Sequence, residues 1–244
     1  MLGFPEDYKV DGFISYGSWS SEKEFSNFKK NIESLKIKCE TKLLPGFCSD
    51  ILEVKNEDKI YWFATIYGST KLSEYLHVAC LFGSNKNIHI GSCGGLNPEA
   101  NSSDLIIPTW SYGDESSTRM YDRSNKDHKF YSDVHLNKLI ESKISTGNKI
   151  WNGPIMTCQS MLAETLEDVQ SWSKEGYYGV EMETATFFSI SNHFNVPCSA
   201  LIYISDNLIK GQTVGDEEHQ KEKDKRGNIK DEVYKAGILS MVKI

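Results

Sequence analysis

The six cysteines of this 244-residue chain form no CxxC pair and no zinc-type spacing. Cys39, Cys48, Cys80, Cys93, Cys158 and Cys198 are scattered, several beside apolar residues, which argues for reduced thiols rather than a disulfide framework or a structural zinc. No run is long and apolar enough to span a bilayer. Residues 1–10 carry Glu6, Asp7 and Lys9 where a signal peptide would carry a continuous apolar stretch. A cytoplasmic protein without a membrane partner is expected. Basic excess is also missing: 27 Lys and Arg stand against 34 Asp and Glu, a net charge of -7. That balance argues against nucleic acid as the main partner, yet a small anionic ligand needs only a local pocket. There is no internal repeat, low-complexity tract or visible linker. Hydrophobic residues make up 39% of the chain, enough for one sizeable core, and a single domain over 1–244 is expected.

Strand-like and helix-like segments alternate. The pattern predicts strands at Gly12–Tyr16, Ile60–Tyr67, Ile88–Ile90, Asp104–Pro108 and Cys198–Ser205. Helices are predicted at Ser21–Leu35, Thr70–Phe82, Val134–Lys143, Leu166–Ser173 (Thr165 as N-cap), Thr184–His193 and Asp231–Val242. Ser111–Ser132 is polar without a period and reads as a long loop. Leu208–Asn228 reads as a polar loop or exposed helix start. Such alternation predicts an α/β fold with a mixed central sheet flanked by helices.

Three segments share a design in which an apolar strand ends in small or acidic residues. They are Ile90-Gly91-Ser92-Cys93-Gly94-Gly95, Val180-Glu181-Met182-Glu183 and Ile204-Ser205-Asp206-Asn207. Ligands of α/β sheets sit at the carboxyl ends of strands. A glycine stretch there either lets backbone N–H groups approach a ligand or serves a packing turn. Two carboxylates two residues apart, Glu181 and Glu183, suit either a solvated helix start or a grip on adjacent sugar hydroxyls. Asp206 alone reads most simply as a helix N-cap.

Together these segments resemble the nucleoside phosphorylases of the purine nucleoside phosphorylase and uridine phosphorylase superfamily. The resemblance is strongest from Thr157 to Leu208. It implies a single-domain fold whose central sheet is partly barrel-like, and a homo-oligomer, either a dimer or a hexamer built as a trimer of dimers. It also implies roles. Glu183 accepts the ribose 2′- and 3′-hydroxyls, Met182 packs on the sugar, and Glu181 and Tyr67 line the sugar pocket. Ser92, Gly17, Ser21, His89 and Lys42 fall at the phosphate site, Lys42 reaching a neighbouring subunit. Met161 and Gly94 face the base. Asp206, oriented by Ser205, is the general acid at purine N7, which requires it to be protonated when it acts. Phosphate is the implied co-substrate, with no metal or organic cofactor.

Departures from the family pattern concern what attacks the sugar. Three arginine positions of the family are Ser21, His89 and Lys42 here, so the rigid bidentate fork is replaced by a hydroxyl, a partly charged ring and a point charge. Ser18, Ser69 and Ser92, with Arg119 from the polar loop, are the remaining candidates to hold phosphate; Arg123 is a second loop arginine within reach of a ligand. The alternatives are a nucleosidase that uses water, for which Glu22 and Glu24 lie near the first strand, and a weakly active nucleoside-binding protein. Glu22 and Glu24 otherwise read as a solvated first helical turn. His77 reads as a packed helix residue, and Lys221–Arg226 as a solvated charge run or a lid over the base.

Overall fold

Apolar alternation gives way to continuous apolar runs wherever a strand is covered on both faces, and this explains the centre of the fold. In β4 (Lys59–Ile66), Trp62 and Ala64 enter one core while Tyr61 and Phe63 enter another. Both Trp62 and Phe63 are fully buried. Each such side chain stabilises the fold by about 1.5–3 kcal/mol relative to exposure. The computed structural model describes residues 3–212 and 223–242.

β1 (Gly12–Gly17), α1 (Ser21–Ser34), β2 (Glu40–Leu43) and β3 (Ile51–Asn56) precede β4. After it come α2 (Ser69–Leu81), β5 (Asn87–Gly95), β6 (Leu105–Tyr112), α3 (Ser116–Tyr121), β7 (Lys129–Tyr131), α4 (Val134–Glu141) and β8 (Ile150–Thr157). The chain continues through α5 (Leu166–Lys174), β9 (Gly179–Glu181), α6 (Thr184–His193), β10 (Cys198–Asn207) and α7 (Lys223–Met241). Among the described residues all ten strands join one mixed sheet. β10 pairs with both β5 and β6, and β6, β8 and β9 lead back to β5. Those five strands therefore close on themselves, while β1, β4, β3 and β2 extend from β5 as an open wing. This is the expected α/β fold with a partly barrel-like sheet.

The polar stretch 111–132 differs from the expected loop. It completes β6, forms α3 and β7, and buries Thr118 and Phe130. The order comes from tertiary contacts: Ser117 Oγ meets Thr186 Oγ1 at 2.9 Å, and Ser189 of α6 donates to the Thr118 carbonyl at 3.2 Å. β2, β3 and β8 lie where no strand was expected, and the glycine stretch Gly91–Gly95 continues β5 instead of ending it. Thr165 caps α5 as predicted, in a capping box with Asp168. The last helix starts earlier than expected, at Lys223. Residues 213–222, with the middle of the expected polar loop and the start of the Lys221–Arg226 run, lie outside the described residues. Among the described residues no helix is long and apolar enough to cross a membrane.

Candidate active site

β1, β4, β5 and β10 run parallel, so their carboxyl ends deliver Gly17, Gly68, Ser92 and Asp206 to one edge of the sheet. Glu183 enters from the start of α6. Its Oε1 accepts the Gly68 N–H at 2.6 Å, and a Cβ placed on Gly17 would lie 3.0 Å from its Oε2. Gly68 has φ +81, a conformation in which a side chain is strained, and this turn aims its N–H at the carboxylate. Glu183 is 5% exposed. Burial, reinforced by the charge of Glu181, pushes its carboxyl up to about 8.

Glu181 has a different task. Its Oε2 accepts the N–H groups of Glu183 at 2.7 Å and Thr184 at 2.8 Å, and its Oε1 accepts from Thr157 Oγ1 at 2.5 Å. It therefore satisfies the open N-terminus of α6, which is buried almost all round. The two carboxylates are not a solvated helix start: one holds the helix and the other is left to face the site. Met182 is anchored through its carbonyl, which accepts Ser69 Oγ at 2.7 Å.

Asp206 is 5% exposed, and the Ser205 hydroxyl donates to its Oδ1. Ser205 Oγ also lies 3.1 Å from the Cys93 carbonyl on β5. Capping is done by the next residue: Asn207 Oδ1 accepts from the N–H groups of Ile209 and Lys210, so Asp206 is not the cap. Cys93 lies between the two acidic ends of the site. Burial pushes its thiol well up, and the charges of Glu181 and Asp206 push it further.

Residues 53–235 match the family model described as the phosphorylase superfamily. The chain belongs to that superfamily. Among curated relatives, it is 28% identical over 155 residues to the DeoD-type purine nucleoside phosphorylase of Thermoanaerobacter sp. strain X514, covering 63% of this chain and 66% of that protein. It is 26% identical over 140 residues to the DeoD-type enzyme of Caldanaerobacter subterraneus subsp. tengcongensis, covering 57% of this chain and 60% of the relative. The matched parts thus span about two thirds of those relatives or less. In structure, it resembles uridine phosphorylase from Vibrio fischeri ES114 with a TM-score of 0.78 at 14% identity, covering 98% of this chain and 95% of that one. At that identity the likeness concerns the fold. Membership of the nucleoside phosphorylase superfamily and its fold agree with the sequence reading.

Within this phosphorylase fold several expected ligand residues are engaged elsewhere. His89 is fully buried, its Nδ1 is 2.8 Å from Ser15 Oγ, and burial drives its pKa down to about 3. The ring is neutral, so the expected partial charge for phosphate is not available. Ser21 donates to Asp50 Oδ1 at 2.5 Å. Lys42 is exposed on β2 at the far end of the open wing, away from the sheet edge that carries Glu183. Arg119 pairs with Asp114 at 3.4 Å and Arg123 contacts Met120 Sδ at 3.8 Å, both at the surface. At Gly94 the space of the missing side chain belongs to Leu208, 2.7 Å from a would-be Cβ. Met161 and Tyr67 are 44% and 42% exposed, and Tyr67 rests against Trp19 with ring centres 4.7 Å apart. His77 is packed as expected, bonded to Tyr121 OH at 3.0 Å.

Other groups were not legible in the sequence. Ser92 is a Cα neighbour of Tyr203, and Tyr16 and Ser92 are close enough to Tyr203 to offset part of the rise that burial gives its pKa. Tyr16 stacks on Tyr234 at 5.0 Å. Arg226 is close enough to Tyr203 to lower its pKa, and its Nη1 is buried without a hydrogen-bond partner among the described residues. Glu24 is not solvated. It is buried and held by Lys230 at 2.8 Å and Tyr234 OH at 2.6 Å, with Ser18 Oγ 3.3 Å away. Burial alone would raise its pKa, but these hydrogen bonds lower it overall. The signal for Glu24 is its place on the apolar face of α1, one residue before Phe25 and four before Phe28.

Proposed function

We propose that this protein cleaves the N-glycosidic bond of a purine nucleoside with phosphate, giving free base and ribose 1-phosphate. The observation that carries the reading is the placement of Glu183, buried and fixed by Gly68, at the same sheet edge as Ser92 and the Ser205–Asp206 pair. Sugar hydroxyls donate to the Glu183 carboxylate, which favours its charged form. That charge stabilises the oxocarbenium-like sugar as the bond to the base breaks. The base leaves with an electron pair that a proton on Asp206 neutralises at purine N7. Phosphate sits against Ser92 and the backbone near Gly17, and Arg226 on α7, whose buried Nη1 has no hydrogen-bond partner among the described residues, replaces the missing arginines. The names of the curated relatives support a purine and that of the structural neighbour a uridine; the buried acid at Asp206 favours the purine.

A hydrolytic reading, with water as the nucleophile, draws support from the neutral His89, which removes one expected positive charge from the phosphate side. One assay separates the two. Inosine, adenosine, methylthioadenosine and uridine are incubated with the protein, with and without phosphate, and base release is followed. Release that requires phosphate is the expected result. Release without it transfers the conclusion to a nucleosidase, and tight binding without turnover to a nucleoside-binding protein.

A further inference from the structure

His89, Glu181 and Glu183 converge in the interior, none more than 6% exposed. One nitrogen or oxygen ligand atom from each lies within 4.8 Å of the other two. The fold brings them together from β5, the end of β9 and the start of α6.

His89 Nε2 is buried and has no hydrogen-bond partner among the described residues. It is 3.9 Å from Glu181 Oε2, beyond hydrogen-bonding distance. An orphaned buried nitrogen is costly and calls for a partner. Its other nitrogen is occupied by Ser15 Oγ. With Nδ1 as the donor to Ser15, Nε2 presents a bare lone pair, the arrangement of a metal-binding histidine oriented by an outer hydrogen bond.

The carboxylates also have capacity left. A carboxylate offers about four lone-pair sites. Glu181 accepts from Thr157, Glu183 N–H and Thr184 N–H, and Gly68 N–H takes one site on Glu183. One imidazole nitrogen with two carboxylate oxygens is a donor set that zinc and its neighbours accept, with a further position open to water or ligand.

We propose that His89, Glu181 and Glu183 bind one divalent transition-metal ion of the zinc class. This inference does not rest on the nucleoside reading. The ion takes the Glu183 carboxylate that a ribose would use, so metal and sugar compete for it.

The test is zinc binding by the full chain after chelator treatment, measured by calorimetry and by metal analysis after dialysis. One zinc per chain is expected. His89→Ala and Glu183→Gln, checked by circular dichroism, are expected to lose it, and Ser15→Ala to weaken it about 10–100-fold, as for an outer-shell partner. Where a variant fails to fold, the visible spectrum of the cobalt-loaded unmodified protein decides: nitrogen and oxygen ligation without a thiolate charge-transfer band is expected. Absence of stoichiometric zinc, retention of it by folded His89→Ala, or a thiolate band from Cys93 overturns the proposal.

Discussion

The Glu183 carboxylate accepts the Gly68 N–H across 115 residues of sequence, at 2.6 Å. This bond ties the start of α6 to the turn after β4 and sets one wall of the site. This buried bond holds the Glu183 carboxyl group in one orientation before any ligand arrives. The bond from Ser69 Oγ to the Met182 carbonyl, one residue later in the first segment and one earlier in the second, makes the junction double.

Glu183→Gln is expected to weaken riboside binding by about 1.5–3 kcal/mol, the worth of a hydrogen bond to a charged group. Calorimetry with a ribonucleoside and its 2′,3′-dideoxy analogue checks this. The analogue should bind both proteins alike, and an unchanged affinity for the riboside would remove Glu183 from the sugar.

Asp206→Asn keeps the shape of the side chain and removes its acid. Purine turnover is expected to fall roughly 10²–10⁴-fold, the usual size of general acid catalysis. Steady-state rates on inosine and on a nucleoside with a much better leaving group provide the check. Equal losses on both substrates would show that Asp206 does not protonate the base.

Arg226→Gln should raise the KM for phosphate, losing about 1.5–3 kcal/mol of phosphate binding, while leaving that for nucleoside nearly unchanged. The two constants measured separately decide the matter. A rise confined to the nucleoside would place Arg226 at the base or sugar instead.

Glu24 makes stability depend on acid. Its folded pKa lies below the ordinary glutamate value, although burial opposes this, because Lys230, Tyr234 and Asn27 hydrogen-bond to the charged form. The stability it contributes is therefore complete above the ordinary value and is lost as the pH falls through the lowered one. Lys230 itself is pushed down, since burial outweighs the same pairing there. The Glu24 direction governs acid behaviour because three neighbours act together on its carboxylate. Thermal melts of the protein and of Glu24→Gln should differ most near neutrality and converge in acid. A difference independent of pH would mean that packing, and not the charge, is what the substitution removes.

Much of the architecture was legible because it is local. Phe25, Phe28 and Ile32 mark one face of α1, and Thr165 with Asp168 marks the start of α5. Three glycine- or acid-ended strands announced the site's edge. What escaped was set by long-range contacts. The stretch 111–132 has no period of its own, and it is α6 beneath it that orders α3. β2 is exposed at all four positions, so burial alternation had nothing to report.

The sequence by itself determined the family, the helices other than α3, the strands β1, β4, β5, β6 and β10, and the candidacy of Glu183 and Asp206, because those depend on which residues stand next to which. Only the tertiary structure decided their division of labour. Glu181 and Glu183 are chemically identical and two residues apart. Three donors from Thr157 and the α6 backbone make the first a helix anchor, while the Gly68 N–H and the gap left by Gly17 turn the second toward the site. His89 likewise reads in sequence as a partly charged ring. Full burial removes its charge, since a desolvated imidazolium is costlier than a neutral imidazole.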